Sequence, residues 1–241
     1  MMMFLSVLCI NVLLWQVKEV AADEMYLIIG QSNASGRGDL PTRGVTSLDG
    51  VTVFNGNRFV RAFQDVNKHS SVGKPHLIGY SFAYTFAEEM QDRLNTDILL
   101  VSNARGGTKI RDWLPGEIYY NEAVGRVRNA IARSGTRLSG VLWHQGEGDG
   151  NNRNYDDDLR ELIAGLRDEF GRNLPFIAGE LSYARGDSST RINDQLHDLE
   201  GRVRNYDVVS ASGLNAPDNT HFDRSSLRTL GRRYARAMIR I

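Results

Sequence analysis

From Asp23 onward, short apolar runs alternate with longer stretches whose apolar residues recur at helical spacing. Met25–Ile29, Asp97–Ser102, Leu138–Trp143, Leu174–Ala178 and Tyr206–Ser210 are brief and rich in Ile, Val and Leu. That is the pattern of strands buried on both faces. Val51–Phe54 is a weaker strand candidate. Phe82–Leu94 and Leu227–Ile239 read as helices, as do the sets Ala123/Val124/Val127/Ala130/Ile131, Tyr155/Leu159/Leu162/Ile163/Leu166 and Ile192/Leu196/Leu199/Val203. Alternating strands and helices predict an α/β fold, a parallel sheet covered on both faces. Residues 36–79 are rich in Gly, Asn and Arg and nearly aperiodic, which predicts long surface loops around one short strand. No repeat or linker divides residues 23–241, so they read as one domain.

Residues 1–22 have a different character. Met3–Trp15 is almost continuously apolar, a polar piece follows at Gln16, Lys18 and Glu19, and Val20-Ala21-Ala22 precedes Asp23. The apolar core is too short to span a bilayer comfortably, and small residues follow it. This predicts a signal peptide cleaved after Ala22. The product is then secreted or periplasmic, with no stable membrane association once the leader is gone. An uncleaved anchor or an ordinary N-terminal helix is the alternative. Cys9 is the only cysteine and lies in the leader, so the mature chain has no disulfide, thiol nucleophile or Cys-ligated metal.

The chain of 241 residues, 41% of them hydrophobic, is long enough for one well-buried core. Its 29 basic residues balance 29 acidic ones, which argues against a general nucleic-acid binder.

Four fragments carry chemistry. Gly30-Gln31-Ser32-Asn33 follows the first strand, so Ser32 is delivered to the carboxyl edge of the sheet, where open α/β folds bind ligands. Asn103-Ala104-Arg105-Gly106-Gly107-Thr108 follows a second strand, and its glycines let backbone N–H groups approach a ligand. Trp143-His144-Gln145-Gly146-Glu147 follows a third. There the Gln145 amide can aim at a developing oxyanion, and Glu147 can orient a histidine. Asp218-Asn219-Thr220-His221 places an acid three residues before an imidazole, so Asp218 can hold one ring nitrogen while the other faces Ser32. Each fragment has a bland reading as well: a helix cap for Ser32, plain turns for the next two, a surface histidine for the last.

Taken together and in this order, the fragments resemble the SGNH hydrolases, and within them family 6 of the carbohydrate esterases with its sialate O-acetylesterase-like domains. The resemblance implies a three-layer α/β/α sandwich, flavodoxin-like, with a central parallel sheet of about five strands. It implies removal of acetyl groups from sugars by Ser32 as nucleophile, His221 as base and Asp218 as orienting acid, with Glu147 as alternative acid. The oxyanion hole would comprise Ser32, Gly106 (Gly107 being the alternative register) and Gln145. Gln31, Asn33, Arg105 and Thr108 become substrate-binding candidates. The implied substrate is an acetylated carbohydrate, sialic acid, xylan or a related glycan; no metal or cofactor is implied.

Two other functions compete with this reading: a general SGNH esterase or lipase acting on other acyl chains, and a non-catalytic carbohydrate-binding domain on the same fold. A carboxylated sugar would invite an arginine, and Arg37, Arg105 and Arg111 lie in plausible loops. The run Asp149–Asp158 lacks the glycine of a calcium loop, and the Arg-Gly-Asp tripeptides at 37–39 and 185–187 are too short to imply adhesion. Asn33-Ala34-Ser35 is formally a glycosylation sequon, but a glycan beside the nucleophile would block the site, so Asn33 is expected to be unmodified.

Overall fold

The computed structural model describes residues 23–42 and 46–241; the segment expected to be a signal peptide, with Cys9, lies outside the described residues. β1 (Glu24–Gly30) runs through the middle of a seven-stranded sheet. The other strands are β2 (Ser47–Phe54), β3 (Phe59–Phe63), β4 (Ile98–Ser102), β5 (Leu138–His144), β6 (Phe176–Gly179) and β7 (Tyr206–Val209). Their order is β3-β2-β4-β1-β5-β6-β7. All neighbours are parallel except the antiparallel pair β2 and β3.

The α/β/α architecture is as expected, but the sheet is wider than the expected five or so strands. Both extra strands come from the aperiodic region, which holds two strands rather than one. In β2 only Val51, Val53 and Phe54 are buried, and in β3 only Ala62. A hairpin at the sheet's margin lacks the continuous apolar run that marks an interior parallel strand.

The helices are α1 (Ser32–Ser35), α2 (Phe82–Leu94), α3 (Ile118–Ser134), α4 (Tyr155–Phe170), α5 (Asp187–Asp198) and α6 (Arg224–Arg240). Side chains alternate across a strand, and β1 divides accordingly. Met25, Leu27 and Ile29 pack with α3, α4 and α5, while Tyr26 and Ile28 pack with α2 and α6. Caps fix where the helices begin. The Ser81 hydroxyl accepts from the Ala83 N–H at 3.2 Å before α2, and Asp223 accepts from the Ser226 N–H at 2.8 Å before α6. α5 ends at Asp198, short of the apolar spacing that runs to Val203; Leu199 and Val203 still reach the core from the turn beyond.

The chain winds outward in both directions from β1, with β4 on one side and β5 on the other. Such a switch point opens a crevice at the carboxyl ends of the strands. One wall of this crevice is fixed by Asn67. Its amide donates to the Ala104 carbonyl at 3.0 Å, and its Oδ1 accepts from the Ser102 hydroxyl at 2.8 Å and the Ala104 N–H at 2.9 Å. The irregular region is thereby stitched to the loop after β4.

At the end of β1, Gly30 has φ +126, and a Cβ there would lie 2.2 Å from the His144 carbonyl oxygen. Only glycine allows β1 and β5 to sit this close while the chain turns toward Ser32. Gly30→Ala is expected to lower the unfolding free energy by about 3 kcal/mol, combining backbone strain with overpacking. Urea unfolding measures this as a lower midpoint at unchanged slope. A loss below about 0.5 kcal/mol would mean that the two strands part easily.

Candidate active site

Gln31 and Ser32 leave β1 in a tight turn in which the Gln31 N–H donates to the His144 carbonyl at 2.9 Å. Ser32 opens the single-turn α1 and is nearly buried. The loop before α6 brings His221 to it: His221 Nε2 lies 2.9 Å from Ser32 Oγ, across 189 residues of sequence. On the other side of the ring, Nδ1 lies 2.7 Å from Asp218 Oδ2. Asn219 adopts a left-handed backbone, φ 65, which curls the loop over Asp218. Asp218 Oδ1 then accepts from the Thr220 N–H at 2.9 Å and the His221 N–H at 2.6 Å. Desolvation works against the Asp218 charge, but these backbone bonds and the imidazole outweigh it and hold the carboxyl at about 2. Asp218 is therefore an anion at neutral pH, paired to the ring nitrogen that faces away from Ser32.

Glu147 sits elsewhere. It makes no hydrogen bond to the His221 ring; its Oε1 accepts from the Asn33 amide at 2.6 Å, and its Oε2 is buried without a hydrogen-bond partner among the described residues. Burial pushes this carboxyl up to about 7, against the pull of its hydrogen bonds and of Arg185. Asn33, expected to touch substrate, is instead completely buried. Besides Glu147, its amide donates to the Thr220 carbonyl at 3.0 Å, and its Oδ1 accepts from the Phe222 N–H at 3.1 Å. It fastens the histidine loop to the turn that carries the nucleophile.

The backbone N–H groups of Ser32 and Gly106 have no acceptor within the described residues. Gly106 lies against the nucleophile: a Cβ built on it would be 3.4 Å from Ser32 Cβ and 2.6 Å from an Arg37 nitrogen. Around Gly107 there is open space, with only Lys74 Nζ at 4.0 Å from such a Cβ. This geometry favours Gly106 over Gly107 as the residue facing Ser32.

Gln145, the expected third oxyanion donor, is wholly enclosed. Its Nε2 faces the Asp149 carboxylate at 2.6 Å, the Thr108 carbonyl at 3.0 Å and Gln31 Oε1 at 3.1 Å, while its Oε1 accepts from the Tyr155 hydroxyl at 2.9 Å. Gln31 does border the cleft. Its Oε1 is turned inward, accepting also from the Gly146 and Gly148 N–H groups at 3.4 and 3.3 Å. Its own Nε2 has no acceptor among the described residues.

The remaining expected substrate contacts are part of the walls. Arg105 donates to the Val72 carbonyl at 2.8 Å, and the buried Thr108 hydroxyl takes the Trp113 indole N–H at 2.9 Å. Burial lowers His144 to about 3, so its ring is neutral, and Nδ1 lies 3.2 Å from the Tyr234 hydroxyl.

Ser32 and His221 open into a cleft of about 520 Å³, bordered also by Gly106, Leu77 and three cationic side chains, Arg37, Lys74 and Arg185. Arg185 was not singled out by sequence. It donates to the Thr220 hydroxyl at 2.7 Å and to the Glu147 carbonyl at 3.1 Å, bridging two of the site's loops. Both Arg37 and Arg185 belong to the tripeptides set aside as too short to read.

A family model described as carbohydrate esterase, sialic acid-specific acetylesterase, matches residues 22–240. The chain belongs to that family. The esterase is 26% identical to a probable carbohydrate esterase of Arabidopsis thaliana, over 91% of this chain and 92% of the relative. The solved structure of that plant protein superimposes with a TM-score of 0.81 at 25% identity, covering 90% of this chain and 98% of the other. NanS shares the fold at a TM-score of 0.70 and 15% identity, over 90% of this chain and 97% of its own. So does a carbohydrate acetylesterase from Xanthomonas citri, at 0.63 and 17%, over 89% of the esterase and 55% of that chain.

The Glu147 carboxyl carries a pH signature. Its folded value near 7 stands above the ordinary 4.5, so the unfolded chain loses its proton first and stability falls as pH rises through that window. Glu147→Gln keeps an acceptor for Asn33 but cannot ionise. Relative to the parent, the variant is expected to gain stability between pH 5 and pH 8, measured by urea unfolding at both. An equal difference at the two pH values would show that Glu147 ionises as freely folded as unfolded.

Proposed function

We propose that this esterase removes acetyl groups from sugar hydroxyls by double displacement through an acetyl group on Ser32. The observation that carries the reading is the imidazole of His221 held between Ser32 Oγ at 2.9 Å and Asp218 at 2.7 Å. Ser32 Oγ attacks the acetyl carbonyl as its proton passes to His221 Nε2. Asp218 keeps the ring in the tautomer that leaves Nε2 free to accept, and stabilises the imidazolium that forms. The tetrahedral intermediate collapses when the ester bond to the sugar breaks and the sugar oxygen takes the proton from His221. A water then attacks acetyl–Ser32, giving its proton to His221; acetate departs, and the proton returns to Ser32.

The oxyanion lies against the uncommitted N–H groups of Ser32 and Gly106. Gln31 serves as the third donor in place of Gln145, because its carboxamide is fixed through Oε1 with the NH₂ end left over in the cleft wall. Gln145 acts one step further back, holding Gln31. The cations Arg37, Lys74 and Arg185 along the cleft offer hydrogen-bond donors to a hydroxyl-rich leaving group. We read residues 1–22 as a leader removed after Ala22, so that the enzyme acts outside the cytoplasm; a mature N-terminus at Asp23 is the matching observation.

Acetate release from acetylated sialic acid and acetylated xylan tests the activity and names the sugar. Ser32→Ala is expected to abolish release on every substrate that the parent hydrolyses. Asp218→Asn should lower kcat by up to ~10⁴, whereas Glu147→Gln retains most of its activity. The reverse ranking would transfer the orienting role to Glu147. Gln31→Ala should cost about 10²–10³ in kcat with little change in KM. A Gln31→Ala enzyme with parental kcat would remove this residue from the oxyanion hole.

A further inference from the structure

Beside the cleft over Ser32 lies a second cavity of about 540 Å³. The two share Glu147, Gly148 and Arg185 as common lining, so they adjoin across these three residues. The rest of its lining includes Lys109 and Arg111 and, from the segment after Glu147, Gly150, Asn151, Asn152 and Asp158. This is the Asp- and Asn-rich run for which the sequence offered no ligand.

The second cavity is built rather than incidental. Asp149 accepts from the Ile110 N–H at 2.9 Å and so ties the Lys109–Arg111 segment to the loop of Glu147 and Gly148. The Asn152 amide donates to Asp158 at 2.8 Å, and Gln195 donates to the Asn152 carbonyl at 3.0 Å, which pins the opposite wall to α4 and α5. Arg191 reaches the Gly150 carbonyl at 2.5 Å from α5. Against this fixed frame, the Asn151 carboxamide has no hydrogen-bond partner among the described residues, and the Lys109 ammonium lies within electrostatic reach of Asp149.

The lining contains no large apolar side chain, and it sets the cations Lys109, Arg111 and Arg185 beside the acidic side chains of Glu147, Asp149 and Asp158. Such a surface selects neither an acyl tail nor a net charge; its donors and acceptors match neutral hydroxyls. Either cavity alone has the size of an ordinary small-ligand site, so one acetylated sugar over Ser32 leaves the other vacant for a neighbour.

We propose that the second cavity is a subsite for a neutral sugar residue linked to the acetylated one, so that the preferred substrate is an acetylated oligosaccharide rather than a free acetylated monosaccharide. This rests on the esterase reading of Ser32 and His221 for its orientation, but the cavity and its chemistry stand apart from the catalytic residues.

The test pairs substrates that differ only by neighbouring sugars: acetylated xylose with acetylated xylotriose, and O-acetylated sialic acid with O-acetylated sialyllactose. In at least one pair the oligosaccharide should show about tenfold higher kcat/KM, the scale of one or two extra hydrogen bonds. The double variant Arg111→Ala/Asn151→Ala should erase that preference while leaving hydrolysis of p-nitrophenyl acetate unchanged. Calorimetric binding of the same four sugars to Ser32→Ala gives a readout free of catalysis. If the parent hydrolyses no ester, the proposed activity falls, and this binding comparison alone decides the subsite. Equal kcat/KM within both pairs, equal binding within both pairs, or a preference untouched by the double variant would overturn the subsite.

Discussion

Three separate pieces of chain meet on the carboxamide of Asn33. One is its own turn after β1, the second is the Glu147 loop after β5, and the third is the loop carrying Thr220 and Phe222, which also carries His221. A buried carboxamide is costly unless its donors and acceptor are matched, and here all are engaged. The arrangement is therefore stiff, and its stiffness passes to the 2.9 Å approach of His221 to Ser32. The nucleophile and its base are far apart in sequence, yet their separation is set by the residue next to the nucleophile.

Around this junction the site sorts its ionisable groups by depth. Asp218 lies at the surface, wrapped by backbone N–H groups, and keeps its charge. Glu147 lies underneath, bonded through a single oxygen, and is pushed toward the neutral acid. His144 lies deeper still and is neutral. Between Asp218 and Glu147, the negative charge is thus kept on the one that can balance the imidazolium formed during the reaction. The two carboxylates that sequence offered as alternatives are separated by environment rather than by residue type.

Much of the fold was legible because interior parallel strands and the helices that cover them carry strong periodicities. The hairpin of β2 and β3 was not, because its few inward residues, such as Val53 and Ala62, alternate with solvated ones. Ser32, Asp218 and His221 could be paired because a strand end and a short loop dictate where they emerge. Direction within a turn is another matter. Nothing in Gly30-Gln31-Ser32-Asn33 announces that Ser32 faces out while Asn33 folds beneath, or that Gln31 lines the cleft while Gln145 stands behind it. Arg185 was not legible, and Arg37 could not be ranked above Arg105 and Arg111, for a related reason: in a chain with so many arginines, only position in space distinguishes a cleft residue from a solvated one.

Asn33 is also the first residue of an Asn-Ala-Ser sequon, and its nitrogen is the atom that both bridges Glu147 to Thr220 and would carry a glycan. The two fates exclude each other. If the chain is exported in a host that attaches oligosaccharides to nascent chains, synthesis becomes a race between closure of this turn and the arrival of the transferase. A chain modified first could not seat its histidine loop and would be a substrate for quality control rather than an enzyme. The choice of expression host is therefore a structural variable for this esterase, decided at one nitrogen atom.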